Sequence, residues 1–334
     1  MLRIGVIGYG YWGPNIVRNF STASGSQVTM VCDMNQQSLK KVKKAYPDVR
    51  VTSDCIELIK DPEVDAVAIA TPVYTHFELA KKVLEEGKSV FIEKPFTYTV
   101  AEGEELVEIG EKRKLKIMVD HTFLYTGAVR KIKQLIEEDV LGDLYYFDSI
   151  RVNLGLFQHD VNVVWDLAPH DISIMDYLIG EKPQAVLATG SEHFGRKLED
   201  IAYLTFYYSH NVIAHINVNW LSPVKVRTTL IGGKKMMLVW NDLDPDEKIK
   251  IYDKGVQVKT KEGKYNLLIN YRSGDMWAPK VEQTEALRLM AEKFVDYIEN
   301  GGTIVNDGIA GLNVVKMLTA ANKSLSNKSE MIYL

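Results

Sequence analysis

The chain has two cysteines in 334 residues, a formal charge of only −4, and no apolar run near the ~18 residues that a membrane span requires. Each shortage excludes something. Cys32 and Cys55 lack metal-ligand spacing and are too sparse for a disulfide scaffold, so both are expected to be reduced and structural. Lys40, Lys41, Lys43 and Lys44 cluster as one solvated helix face, and no basic stripe offers a surface to nucleic acid. His159, His193, His210 and His215 show no ligand spacing, so no metal is expected. Residues 2–7 already read as a strand, without the charged and apolar regions of a signal peptide, which gives the expectation of a cytoplasmic protein with no membrane partner. No repeat or low-complexity segment is visible.

Apolar residues at 46% and charged ones at 25% describe an ordinary globular protein, and 334 residues suggest two domains. Strand patterns at 4–7, 28–32, 64–70, 89–92 and 116–119 alternate with helices starting at 14, ending at 45, and covering 74–86 and 101–112. Strands apolar on both faces, joined by amphipathic helices, indicate a doubly wound parallel sheet. After about residue 125 the pattern changes: a helix over 128–138 leads to strands at 144–152, 184–189, 202–208, 212–219, 225–231 and 235–239. Hairpin signals at Ser209-His210-Asn211 and Gly232-Gly233 favour an α+β domain with a largely antiparallel open sheet. Residues 241–264 read as an exposed hairpin region, and helices follow at 281–300 and 309–325. The expected domains are 1–122 and 123–334.

The first strand runs into Gly8-Tyr9-Gly10-Tyr11-Trp12-Gly13 and then a helix, the dinucleotide-binding spacing in its strand-turn-helix context. Gly8 permits the turn, Gly10 lets a pyrophosphate approach the backbone, and Gly13 lets helix and strand pack closely. The helix N-terminus offers N–H groups to the anion. Tyr11 and Trp12 lie within this loop, where Trp12 either covers the cofactor or packs beneath it. Asp33, twenty residues past Gly13, suits the adenosine ribose hydroxyls; with no adjacent Arg or Lys for a 2′-phosphate, NAD is favoured over NADP. In the next switch-point loop Thr71 and Pro72 line the nicotinamide side, and His76 either joins them or packs under the loop.

Residues 89–95 end an apolar strand in Glu93-Lys94-Pro95. A lysine at the carboxyl edge of a parallel sheet faces ligand more readily than bulk solvent, although a salt bridge between Lys94 and Glu93 is the plainer alternative. Glu93 and Lys94 are both placed among the cofactor contacts.

These elements, together with Asp166 and His170 four apart in Trp165-Asp166-Leu167-Ala168-Pro169-His170-Asp171, resemble the glucose–fructose oxidoreductase / inositol dehydrogenase (Gfo/Idh/MocA) family over nearly the whole chain. The resemblance implies an N-terminal Rossmann domain and a C-terminal domain whose open sheet forms the interface of a homodimer or homotetramer. It implies that Lys94 and His170 flank a sugar carbon beside nicotinamide C4, that Asp166 touches a substrate hydroxyl, and that the Lys94–Pro95 bond is cis. Where the family commonly carries a second acid three residues after the histidine, this chain has Ser173. The segments His121-Thr122-Phe123-Leu124-Tyr125, Asn153-Leu154-Gly155 and 160–165 are closer to the branch acting on nucleotide-activated sugars, particularly 3-dehydrogenases of UDP-N-acetylglucosamine-type substrates.

The expected activity is therefore NAD-dependent oxidation of a secondary sugar hydroxyl. His170 is the natural general base, with Lys94 stabilising the developing alkoxide or relaying its proton. Tyr125, Arg151, Asn153, Gln158, Asp160 and Trp165 are candidate sugar-pocket residues, Arg151 as a diphosphate partner. An inositol or free-sugar dehydrogenase, and a non-catalytic sugar sensor that keeps the dinucleotide fold, are the alternatives.

Overall fold

The computed structural model describes residues 1–155, 158, 160–258 and 269–334, and its chain packs as two units. The first opens with β1 (Leu2–Ile7), α1 (Gly13–Thr22), β2 (Ser26–Cys32), α2 (Gln36–Ala45), β3 (Arg50–Thr52) and α3 (Cys55–Lys60). It continues through β4 (Ala66–Ile69), α4 (His76–Glu85), β5 (Ser89–Ile92), α5 (Val100–Arg113) and β6 (Ile117–Val119). The six strands pair in parallel in the order β3-β2-β1-β4-β5-β6. Every residue of β4, β5 and β6 is buried, as strands covered on both faces require. The short β3 and α3 lay outside the sequence expectation because neither is long enough to show a period.

The second unit contains α6 (Gly127–Glu137), β7 (Leu144–Leu154), α7 (Val163–Ile179), β8 (Ala185–Ser191), β9 (Ile201–Tyr207) and β10 (Ile213–Asn219). Four more strands follow: β11 (Leu221–Gly233), β12 (Met237–Asn241), β13 (Ile249–Val258) and β14 (Ile269–Trp277). Together with β15 (Ile332–Tyr333) they form a nine-stranded sheet ordered β14-β13-β12-β11-β7-β10-β9-β8-β15, parallel only where β10 meets β7. Inward residues alternate along β9 and β10, and α7 packs on this central part of the sheet. The hairpin expected over 241–264 begins as β13, which pairs with β14; residues 259–264 lie outside the described residues.

The helices α8 (Ala286–Glu299) and α9 (Gly308–Ser326) follow the second sheet in sequence. Residues 284–319 pack with residues 1–125, and only 320–334 rejoin the second unit. The cause is aromatic packing: Phe294 of α8 meets Phe20 of α1 and Phe91 of β5 edge to face, with centroids 5.9 and 5.8 Å apart. Asn306 reinforces it by donating from Nδ2 to the Val119 carbonyl at 2.6 Å. Sequence proximity to the second sheet gave no hint of this return. Among the described residues, no helix is long and apolar enough to cross a membrane.

Candidate active site

At the carboxyl end of β1 the glycines do three different things. Gly8 has φ +98°, and a Cβ there would lie 2.5 Å from the Ala70 carbonyl oxygen. A Cβ on Gly13 would stand 2.3 Å from the Gly8 oxygen, whereas one on Gly10 would meet nothing within 4 Å. Two glycines thus close the turn against β4 and α1, and the third leaves its backbone open to a ligand. Tyr11, beside it, is 89% exposed.

Asp33 follows β2 and accepts hydrogen bonds from the Tyr9 N–H at 2.6 Å and the Asn35 N–H at 2.7 Å. The glycine loop itself therefore aims this carboxylate. Asn35 caps α2, whose first residues are Gln36 and Gln37, so no cation stands beside Asp33 in sequence. An open glycine, a helix N-terminus and an oriented acid fit an adenosine diphosphate with free ribose hydroxyls.

The next strand end positions Thr71 and Pro72, both at least partly exposed, and the Thr71 hydroxyl shares a 2.7 Å hydrogen bond with Thr75. His76 does not line this loop. It is fully buried, with Nδ1 2.9 Å from the Pro95 oxygen and Nε2 2.8 Å from the Thr71 oxygen. Burial, opposed by those carbonyls, pulls its pKa below the usual histidine range. His76 thus ties the loop after β4 to the loop after β5, and helical spacing alone could not separate that role from contact.

At the end of β5 the Lys94–Pro95 peptide is cis, as the resemblance implies. Glu93 donates its N–H to Ile69 at 2.9 Å, and its Oε2 is buried without a hydrogen-bond donor. Burial first, and Asp120 second, push the Glu93 carboxyl well above the ordinary carboxylate range, while Lys94 pulls it down. Lys94 also lowers the pKa of His76 and His121. Burial is the larger influence on His121, whose pKa falls to about 4. Trp12 donates from Nε1 to Asp120 Oδ2 at 2.9 Å, joining the glycine loop to the end of β6. Neither Asp120 nor His121 was marked as a site residue in the sequence; the signal available was their place at the last of the parallel strand ends.

In the second unit, α7 carries the other expected residues. Asn162 caps it, accepting from the Trp165 N–H at 3.1 Å and donating to Glu199 and Asn322 at 2.8 and 2.9 Å. Gly180 ends it in left-handed conformation, φ +76°. Asp166 and His170 are half-buried and share one face by their spacing of four. Trp220, itself 1% exposed, donates from Nε1 to Asp166 Oδ2 at 3.0 Å. Sequence reasoning missed Trp220; an indole ending a strand carries no mark of its partner.

Several pocket candidates are placed elsewhere. Arg151 is 5% exposed and pairs with Asp171 of α7, Nε to Oδ2 at 2.5 Å and Nη2 to Oδ1 at 3.2 Å, while Ser149 donates to the same carboxylate at 2.7 Å. Its guanidinium anchors α7 to β7 through Asp171. Tyr125 is 7% exposed and donates its hydroxyl to Asn306 at 2.6 Å, which braces the first unit. Trp165 is buried, Asn153 and Gln158 are half-buried, and Asp160 is exposed. Ser173 is buried and donates its hydroxyl to the His170 carbonyl at 2.8 Å, while Asp171, not residue 173, supplies the acid on the sheet side.

Cys32 is a buried free thiol that burial pushes up to about 12, and Cys55 is also free. His193 bonds Asp200 at 2.7 Å, His210 lies beside Ser209 at 3.0 Å, and His215 is 3.2 Å from Thr205. Among the described residues no group of three or more ligating side chains could hold a metal; His159 lies outside them.

Comparison with known proteins matches each of the two units to a family domain. Residues 2–121 match the model of an oxidoreductase family with an NAD-binding Rossmann fold, and residues 129–239 match the GFO/IDH/MocA C-terminal domain. The chain is 30% identical over 255 residues to inositol 2-dehydrogenase of Rhodococcus jostii (strain RHA1), spanning 72% of this chain and 69% of that protein. It is 29% identical to the uncharacterized oxidoreductase YdgJ of Escherichia coli (strain K12), spanning 74% and 73%. The structure of UDP-N-acetylglucosamine 3-dehydrogenase GnnA from Acidithiobacillus ferrooxidans superposes with a TM-score of 0.82 over 98% of this chain and 99% of that one, at 23% identity, a likeness of fold.

Proposed function

The chain belongs to the Gfo/Idh/MocA family of NAD-binding oxidoreductases, and from that premise we propose that it oxidises a secondary hydroxyl of a nucleotide-activated sugar of the UDP-N-acetylglucosamine type, at its 3-position. NAD, when bound, supplies the two-electron acceptor. The chain's own residues hold it at Gly10 and Asp33 and manage the proton. His170 acts as the general base, since a neutral imidazole accepts a proton near pH ~6.5. Lys94 stabilises negative charge on the oxygen being oxidised. Asp166 accepts from a substrate hydroxyl, held in place by the Trp220 indole.

The observation that carries this reading is the pairing of Asp166 and His170 on the half-exposed face of α7, with Asp166 oriented by a buried donor. A capped helix anchored by Arg151 and Asp171 supports it by fixing that face. A second reading, oxidation of a free polyol or sugar, is favoured by the similarity to inositol 2-dehydrogenase. Calorimetric titration of UDP-N-acetylglucosamine with and without NAD separates them. Micromolar binding that strengthens with NAD is expected; heat from free inositol with silence from every nucleotide sugar would favour the second reading.

A further inference from the structure

Glu93 and Asp120 are neighbours by register. In the parallel pair β5 and β6, Ile92 stands opposite Val119, and the Asp120 N–H donates to the Ile92 carbonyl at 2.7 Å. The next residue on each strand is an acid, so two carboxyls leave adjacent strands about 4.8 Å apart. Asp120 is 2% exposed, and Glu93 Oε2 is shut off from solvent with no donor to it. Two carboxylates this close and this dry cannot both stay ionised.

The donors identify which one keeps the charge. The Asp120 oxygens accept from the Trp12 indole at 2.9 Å and from the Thr122 hydroxyl; the Glu93 carboxyl receives the Lys94 backbone N–H, but its buried Oε2 has no donor. Donors favour the ionised form of the group they reach. The other charged or titratable groups near the pair are Lys94, which follows Glu93, His121, which follows Asp120, and His76 of α4 beyond Lys94.

We propose that Glu93 and Asp120 share a single proton, carried on Glu93, and that the ionised Asp120 pins the Trp12 indole to the end of β6 as a positioning residue for the cofactor loop. The hydrogen bond between the two side chains agrees with this assignment, as does the raised proton affinity of Glu93. The consequence is electrostatic. The cofactor edge carries one negative charge from this pair instead of two. Loss of the shared proton would add a second anion at the carboxyl end of β5 and β6, beside the Trp12 indole of the cofactor loop.

The bearing on cofactor affinity rests on the NAD-binding reading, but the proton itself is measured without any ligand. In ligand-free protein at neutral pH, the infrared difference between wild type and Glu93→Gln should contain a protonated-carboxyl C=O band. Asp120→Asn should lose it, because the asparagine amide can donate to an ionised Glu93. Absence of the band in wild type would overturn the proposal, and so would its persistence in Asp120→Asn. Should either variant fail to fold, alkaline titration of the wild type alone decides: a single carboxyl band must vanish on raising the pH. Five tryptophans give a readable indole N–H spectrum, in which the resonance assigned through Trp12→Phe must shift in Asp120→Asn. An unmoved resonance contradicts the clamp. NADH affinity, read by fluorescence, should weaken as the pair loses its proton and become pH-independent in Glu93→Gln. A similar alkaline weakening in that variant would remove the pair from cofactor binding even if the infrared band were found.

Discussion

Gly10 and Gly13 differ in what surrounds them, and that difference makes a prediction at the scale of one methyl group. Gly10→Ala should leave the melting temperature unchanged, since its Cβ meets nothing in the protein, but should weaken NADH binding about tenfold, roughly 1.4 kcal/mol. Gly13→Ala should destabilise the fold even without cofactor, because its Cβ collides with backbone. Equal stability losses in the two would mean that the open space at Gly10 is not a ligand site. Trp220→Phe keeps the ring and removes the N–H that reaches Asp166. Turnover should fall about tenfold, the kinetic equivalent of ~1.4 kcal/mol, with the melting temperature moving far less than for Trp220→Ala. The glycine spacing and Asp33 were legible in the sequence because each answers a backbone requirement within one short motif. Arg151, Tyr125 and Trp220 were not, since their partners Asp171, Asn306 and Asp166 lie 20, 181 and 54 positions away.

The element that carries Asp166 and His170 is α7, and its orientation on its own sheet is held by a buried ion pair. Removing one partner strands the other charge, which costs about 3–5 kcal/mol in such settings. Arg151→Ala should therefore lower the denaturation midpoint steeply, whereas the double variant Arg151→Met with Asp171→Leu should recover most of that loss. A single variant no less stable than the double would mean that the pair does not anchor the helix. The sequence showed only the spacing of four between Asp166 and His170; the capping Asn162 and the terminal Gly180 became visible in the structure. Nor did the sequence reveal that Asp171 turns to the sheet, because a helix period gives faces but not what each face meets. The short β3 and α3 escaped for the opposite reason, offering too few residues to show any period.

Across the whole molecule, the parallel sheet was recognisable from alternating strands and helices, whereas the packing of the C-terminal helices was not. Residues 284–319 return to the first unit through contacts such as Phe294 with Phe20, and no local pattern encodes a return of that length. Global stability should carry a pH signature from His121, buried in the first unit with its pKa lowered to about 4. The unfolded chain binds this proton from about pH ~6.5 downward and the folded one only near 4, so stability should fall as pH drops through that window, by up to about 3 kcal/mol. His121→Gln should flatten that slope in urea melts followed against pH; an unchanged slope would assign it to other groups. The central claim, hydride removal from a sugar hydroxyl beside Lys94, is tested most directly by following NADH absorbance when UDP-N-acetylglucosamine and NAD are added to wild type and to Lys94→Ala. The account predicts NADH formation by wild type and a loss of about 100-fold or more in Lys94→Ala, with NADH affinity nearly intact. Turnover close to wild type in Lys94→Ala, or no NADH from any nucleotide sugar, free sugar or inositol, would contradict it.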